Sequence, residues 1–163
     1  MKKGSNMKIR NTMGLVTIIG VIALLSAPNA SAQGRGGNRG SGGWGPQAAY
    51  NSKYNPKTVE TLSGEVISVD RITPEKGMSY GLHLMLKTEK ETISVHLGPG
   101  WYIERQDTQI NVKDAVQIKG SRITFEGKPA IIAAEVKKGD EVLQLRHETG
   151  VPQWSRWRRR QAR

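Results

Sequence analysis

Two histidines stand where metal chemistry would need them. In "YGLHLMLKT", Leu82, Leu84 and Leu86 alternate with Gly81, His83, Met85 and Lys87. In "ETISVHLG", Ile93, Val95 and Leu97 alternate with Thr92, Ser94 and His96. A period of two marks half-buried antiparallel strands. A turn at Glu89-Lys90, or a four-residue loop of the same register, pairs Leu86 with Ile93, Leu84 with Val95 and Leu82 with Leu97. That register sets His83 directly opposite His96 on the outer face, where Cβ atoms lie about 4.5–5.5 Å apart. Two such imidazoles could share a metal ion, and Met85 is one step along the same face. A His-His-Met set suits copper better than zinc, because a thioether is a soft ligand. The set lacks a carboxylate or a fourth donor. The plainer expectation is two surface histidines paired on a solvated strand face.

The other strings with chemical form are weaker. "GMSYG", Gly77 to Gly81, spells the nucleophile elbow around Ser79. An elbow needs a strand before it and a helix after it, whereas here a polar turn precedes and a strand follows. "GWGPQA", Gly43 to Ala48, spells a dinucleotide fingerprint but has no strand before it. Glu89 and Glu91 read as solubilising charge in an exposed turn. No catalytic constellation emerges, and the expectation is a non-enzyme. "SVHLGPGWYIERQ", Ser94 to Gln106, runs from a strand through Gly-Pro-Gly into bulky residues. Gly98 would cap a short helix, and Pro99 suits its first position because its φ is preset. Trp101, Tyr102 and Ile103 would then plug one end of a barrel. An anion held at that helix start is physically allowed, but nothing specific to phosphate accompanies it.

The remaining pattern supplies the frame. A first long strand runs from about Val59 to Ile72, its apolar phase breaking near Gly64, which suggests a bulge or bend. "AVQIKGSRITF" breaks similarly around Gly120, "EGKP" turns the chain into "AIIAAEV", and "EVLQLR" follows a turn at Lys138-Gly139-Asp140. Three strands, a helix and two or three further strands give an all-β fold, a small OB-like Greek-key β-barrel with one short helix between strands 3 and 4.

"HLGPGWYIERQ", "VKDAVQIKGSRI" and "PAIIAAEVKKGDEVLQLRHETGVPQW" resemble exported bacterial OB-like domains of the magnetosome MamS/MamX type, over roughly Thr58 to Trp154. The resemblance implies an OB-like fold and an envelope location. Magnetosome members of that type are associated with iron-mineral maturation, and the MamX type carries haem. This chain has no cysteine, so the Cys-x-x-Cys-His needed for covalent haem is missing and a cytochrome role does not transfer. The absence of cysteine also excludes disulfides, thiolate metal sites and thiol nucleophiles.

The two ends carry the address and the charge. Lys2, Lys3, Lys8 and Arg10, the uncharged run Met13 to Leu25 and Ala30-Ser31-Ala32 read as residues 1–32 of a secretory signal, cut after Ala32. The apolar run falls short of the about 20 residues a membrane span needs. Of the net charge of +11, the signal holds four, which leaves +7. Between Lys57 and Arg146 thirteen basic residues meet thirteen acidic ones, so the excess lies in the flanks. Residues 33–56 are Gly-rich and almost without aliphatics, and read as a flexible tether; Trp44, Tyr50 and Tyr54 within it could dock on something, but an unstructured spacer is the expectation. Residues 57–146 form the barrel. Residues 147–163 form a basic aromatic tail, in which Trp154 is assigned to packing and Arg156, Trp157, Arg158, Arg159 and Arg160 to surface contact. Rings interleaved with arginines suit anionic lipid headgroups. They also suit an acidic envelope protein, and suit nucleic acid less well because an exported protein seldom meets it. The expected protein is a monomeric periplasmic or secreted binding module with no certain cofactor. A metal-handling role through the histidine pair and polyanion binding through the tails are the alternatives.

Overall fold

The computed structural model describes residues 41–155. Six strands form: β1 (Val59–Ile72), β2 (Gly81–Lys87), β3 (Thr92–Pro99), β4 (Ala115–Phe125), β5 (Lys128–Lys138) and β6 (Glu141–Gln144), with the single-turn helix α1 (Gly100–Ile103) between β3 and β4. The sheet order is β3-β2-β1-β4-β5-β6, and β3 also pairs with β5 in parallel, through Ser94 with Ala130, Val95 with Ile131 and His96 with Ile132. That one parallel contact closes the meander into the OB-like Greek-key barrel.

β1 serves both halves of the barrel. Its first part pairs with β4 and its second with β2, the register shifting between Val66 and Ser68. The bulge therefore falls at the exposed Ile67, beyond the expected break at Gly64. Gly64 answers a different need, since a Cβ there would lie 2.3 Å from the Lys87 carbonyl oxygen. The β2–β3 hairpin has the expected register at Leu86–Ile93, Leu84–Val95 and His83–His96. A shift between Leu82 and His83 then sets Leu82 opposite Gly98, so the expected Leu82–Leu97 pair does not form. The poor turn chemistry of Glu89-Lys90 is repaired by Thr88: its Oγ1 accepts from the Lys90 and Glu91 amides at 3.2 and 3.0 Å. Glu91 is more than solubilising charge. It accepts from Arg122 of β4, which also donates to Glu60 of β1, and Arg122 holds its carboxyl below the usual range.

The segment from Ser41 departs most from expectation. Trp44, Tyr50 and Tyr54 are buried in the core with Leu84, Val95, Ile131 and Trp154. The three rings supply the apolar surface that aliphatics would have supplied, so these residues are part of the fold and not a spacer. Residues 33–40 lie outside the described residues. A single 3-10 turn, Asn51–Lys53, and a second, Pro56–Thr58, lead the segment into β1. The core likewise runs beyond Arg146 to Trp154, past the expected barrel boundary.

Both tryptophans sit on backbone without side chains. A Cβ at Gly81 would lie 2.5 Å from the Trp44 ring, and one at Gly98 would lie 2.8 Å from that of Trp154. Gly98 also has φ +152°, which side-chain-bearing residues rarely adopt. Gly98→Ala is therefore expected to destabilise the protein by about 1–3 kcal/mol, from overpacking and backbone strain together. A urea melt followed by tryptophan fluorescence measures it. Pro99 still pairs with Gly81 in β3, so it caps α1 and the helix starts at Gly100, one residue later than expected. Tyr102 and Ile103 are buried and Trp101 packs against the same core.

Candidate functional site: a histidine under an aromatic lock

β3 lies between β2 and β5, and its second half is covered on both faces. His96 is consequently 2% exposed and does not lie on a solvated outer face, which corrects the expected placement. Phe125 meets its ring edge-on with centroids 4.7 Å apart, and Tyr50 stacks on it at 6.0 Å. The Tyr50 hydroxyl lies 2.5 Å from His96 Nδ1. Burial pushes the His96 pKa down to about 4, helped by electrostatic coupling to nearby His83 and Lys53. Burial likewise pushes the Tyr50 phenol well up. Both groups are neutral at neutral pH. We assign the phenol O–H as donor to Nδ1, which leaves the ring proton on Nε2. That nitrogen is buried with no partner among the described residues.

His83 does face His96, with ring centroids 5.9 Å apart. It is engaged elsewhere: Nδ1 lies 3.2 Å from Ser94 Oγ, and Nε2 lies 3.9 Å from the Asp70 carboxylate. Met85 pairs with Ser94. Among the described residues no group of three or more His, Cys, Asp or Glu is placed to hold a metal ion. The register thus brings His83 and His96 together as read from the sequence, and Tyr50, Ser94 and Asp70 give each imidazole a structural use. Ser79 leads into β2 with its amide donating to the Gly42 carbonyl at 2.7 Å, and no helix follows it.

Two features escaped the sequence reading. The first is a lock between the two ends of the fold. Trp154 Nε1–H donates to the Trp44 carbonyl at 2.8 Å, and the two rings meet edge-on at 6.3 Å. Trp44 Nε1–H in turn donates to the Ser79 carbonyl at 2.9 Å. Trp154 packs, as assigned; Arg156, Trp157, Arg158, Arg159 and Arg160 lie outside the described residues. The second is Arg146, a guanidinium only 1% exposed. It donates to Asn51 Oδ1 at 2.8 Å and to the Gly150 carbonyl at 3.2 Å, and lies over the rings of Trp154 and Tyr54 at 5.0 and 5.5 Å. Among the described residues no carboxylate pairs with it. Alternation gave no signal for it, because Arg146 shares the parity of the exposed Val142 and Gln144 and not that of the buried Leu143 and Leu145, so it reads as outward.

Barrel topology, the parallel β3–β5 closure and the capped aromatic core define an OB-like barrel in which Trp44 and Trp154 staple the first and last described segments together. The chain belongs to the MamS/MamX magnetosome protein family, whose sequence model matches residues 58–143. The match includes His83, His96 and α1, and stops short of Tyr50, Trp44, Arg146 and Trp154. No curated protein matches the chain.

Proposed function

We propose that this protein is a non-catalytic accessory module of the cell envelope, of the magnetosome-associated type, that docks on an anionic surface through a basic pole. The observation that carries this reading is the Trp154–Trp44 bond. It makes the chain enter and leave the described fold at one place. All fourteen acidic residues of the chain fall between Ser41 and Ser155, where fourteen Lys and Arg balance them. The net charge therefore belongs wholly to the flanks. Arg35 and Arg39 precede Ser41, and Arg156, Trp157, Arg158, Arg159 and Arg160 follow Ser155. Both basic flanks start from the same pole of a neutral barrel. Basic residues near an anionic lipid surface contribute about 1 kcal/mol each, and Trp157 adds a ring suited to the headgroup level.

Cosedimentation of the chain cut after Ala32 with lipid vesicles tests the reading. Binding to vesicles rich in phosphatidylserine, none to pure phosphatidylcholine, and a steep fall with added salt are expected. Deleting residues 156–163 should remove most of the binding. Binding that ignores lipid charge, or survives the deletion, would sink the proposal. A defined complex with an acidic protein and no vesicle binding would transfer the pole to a protein partner.

A further inference from the structure

Five rings run through the fold in contact. Trp101 and Tyr102 have centroids 6.2 Å apart, Tyr102 and Trp154 5.5 Å, Trp154 and Trp44 6.3 Å, and Trp44 and Tyr50 5.3 Å. They are five of the eight tryptophans and tyrosines of the chain. Trp101 is half-buried at one end of the file, and the other four are buried. At the far end the Tyr50 hydroxyl meets His96 Nδ1. We propose that this file of rings is a one-electron conduit from the surface to a redox-active tyrosine, where Tyr50 becomes a neutral radical as its proton passes to His96.

The spacing lets an electron move from ring to ring, and the hydrogen bonds decide where the vacancy rests. The indole N–H groups of Trp154 and Trp44 donate to the carbonyls of Trp44 and Ser79. A carbonyl oxygen accepts a hydrogen bond but does not take the proton, whereas a neutral imidazole nitrogen does. An oxidised indole therefore keeps its N–H and its positive charge. The Arg146 guanidinium, 5.0 Å over the Trp154 ring, makes that charge costly, so the vacancy moves on. Tyr50 loses a proton with its electron and ends uncharged. Burial pushes its phenol up, so the proton is still in place when the electron leaves. The chain has no cysteine, so no thiol diverts the oxidation.

The balance is one electron and one proton. A strong one-electron oxidant, of the class of hydroxyl radical or an oxidised metal–bipyridine complex, takes an electron from Trp101. Tyr102 bridges Trp101 to Trp154, and Tyr50 supplies the replacement. Its O–H bond breaks and an N–H bond forms at His96 Nδ1, which leaves a tyrosyl radical beside an imidazolium. A one-electron reductant such as ascorbate reverses both changes. Burial disfavours a charged His96, so the proton returns with the electron.

Flash oxidation of the chain cut after Ala32 tests the conduit. The parent for this experiment carries Tyr80→Phe and Trp157→Phe, which silence a tyrosine with an exposed hydroxyl and the tail tryptophan. Photo-oxidised tris(bipyridine)ruthenium is the oxidant, and transient absorption and electron paramagnetic resonance read the radicals. An indole radical is expected first, followed by a tyrosyl radical. Tyr50→Phe keeps the ring and its packing and removes only the hydroxyl. It should cut the tyrosyl yield at least tenfold and prolong the indole radical. Trp154→Phe puts a ring far harder to oxidise in the middle of the file, and should slow the tyrosyl signal at least tenfold. The inference is overturned if the parent forms only an indole radical, if Tyr50→Phe leaves the tyrosyl yield unchanged, or if Trp154→Phe leaves its rate unchanged.

Discussion

Trp154→Ala is expected to lower the unfolding free energy by about 3–5 kcal/mol, the range for truncating a buried large aromatic. Trp154 is 2% exposed and meets Trp44, Tyr102, Arg146 and Gly98. Truncation removes all four contacts and the donor to the Trp44 carbonyl. It also bares one face of the Arg146 guanidinium, a charge that already lacks a carboxylate. Small domains hold only about 5–15 kcal/mol in total, so the variant should be near the edge of folding. Trp44→Ala should cost a similar amount, because its ring is 1% exposed and sits on Gly81. The two residues share one lock, so the double variant should cost clearly less than the sum of the singles. Urea melts of the three variants measure this. A Trp44→Ala cost below about 1 kcal/mol, the size of a surface change, would make the N-terminal segment a spacer after all. It would remove the support for a single basic pole.

Strand patterning was legible because the barrel is built from local alternation. Leu84, Leu86, Ile93 and Val95 announce their inward face, and the hairpin register follows from matching them. The Gly120 break was visible for the same reason, and the register of β4 against β5 shifts there. Alternation says nothing of what covers the other face. His96 reads as outward by parity, yet Tyr50 comes from 46 positions earlier to cover it. The arm, the segment from Ser41 that leads into β1, was misread because glycine content argues for disorder, while three well-spaced rings outweigh it once the barrel offers seats. Those seats are glycines, Gly81 and Gly98, whose value lies in the missing side chain. Nothing in one strand's pattern tells that a ring from a distant segment will fill the space. Arg146 was hidden by the same limit: it reads as outward by parity with Val142 and Gln144, and its partners Asn51 and Trp154 are brought to it only by the lock.

Acid should loosen this lock at His96. The folded pKa of about 4 lies below the unfolded value near 6.5. Between those values the unfolded chain binds a proton that the folded chain refuses. The stability contributed by the neutral imidazole is therefore complete above about pH 6.5 and is lost as pH falls toward about 4. A gap of that size amounts to about 3 kcal/mol. Glu91 and Asp114, held below the usual range by Arg122 and Lys138, weaken the fold at lower pH still. The interval from about pH 6.5 to 4.5 isolates the histidine. Protonation turns Nδ1 from acceptor into donor, so the Tyr50 O–H loses its partner and the arm loses one of its attachments to β3. Urea midpoints across that interval should fall with pH in the parent and stay nearly level in His96→Leu, which starts from a lower stability. Direct NMR titration should find His96 neutral to about pH 4, while a midpoint near 6.5, or an equal slope in His96→Leu, would show that the imidazole is not sealed under Tyr50 and Phe125. In the expected case the arm is held by a group that senses moderate acid, and the junction from which both basic flanks depart is weakened in the same interval.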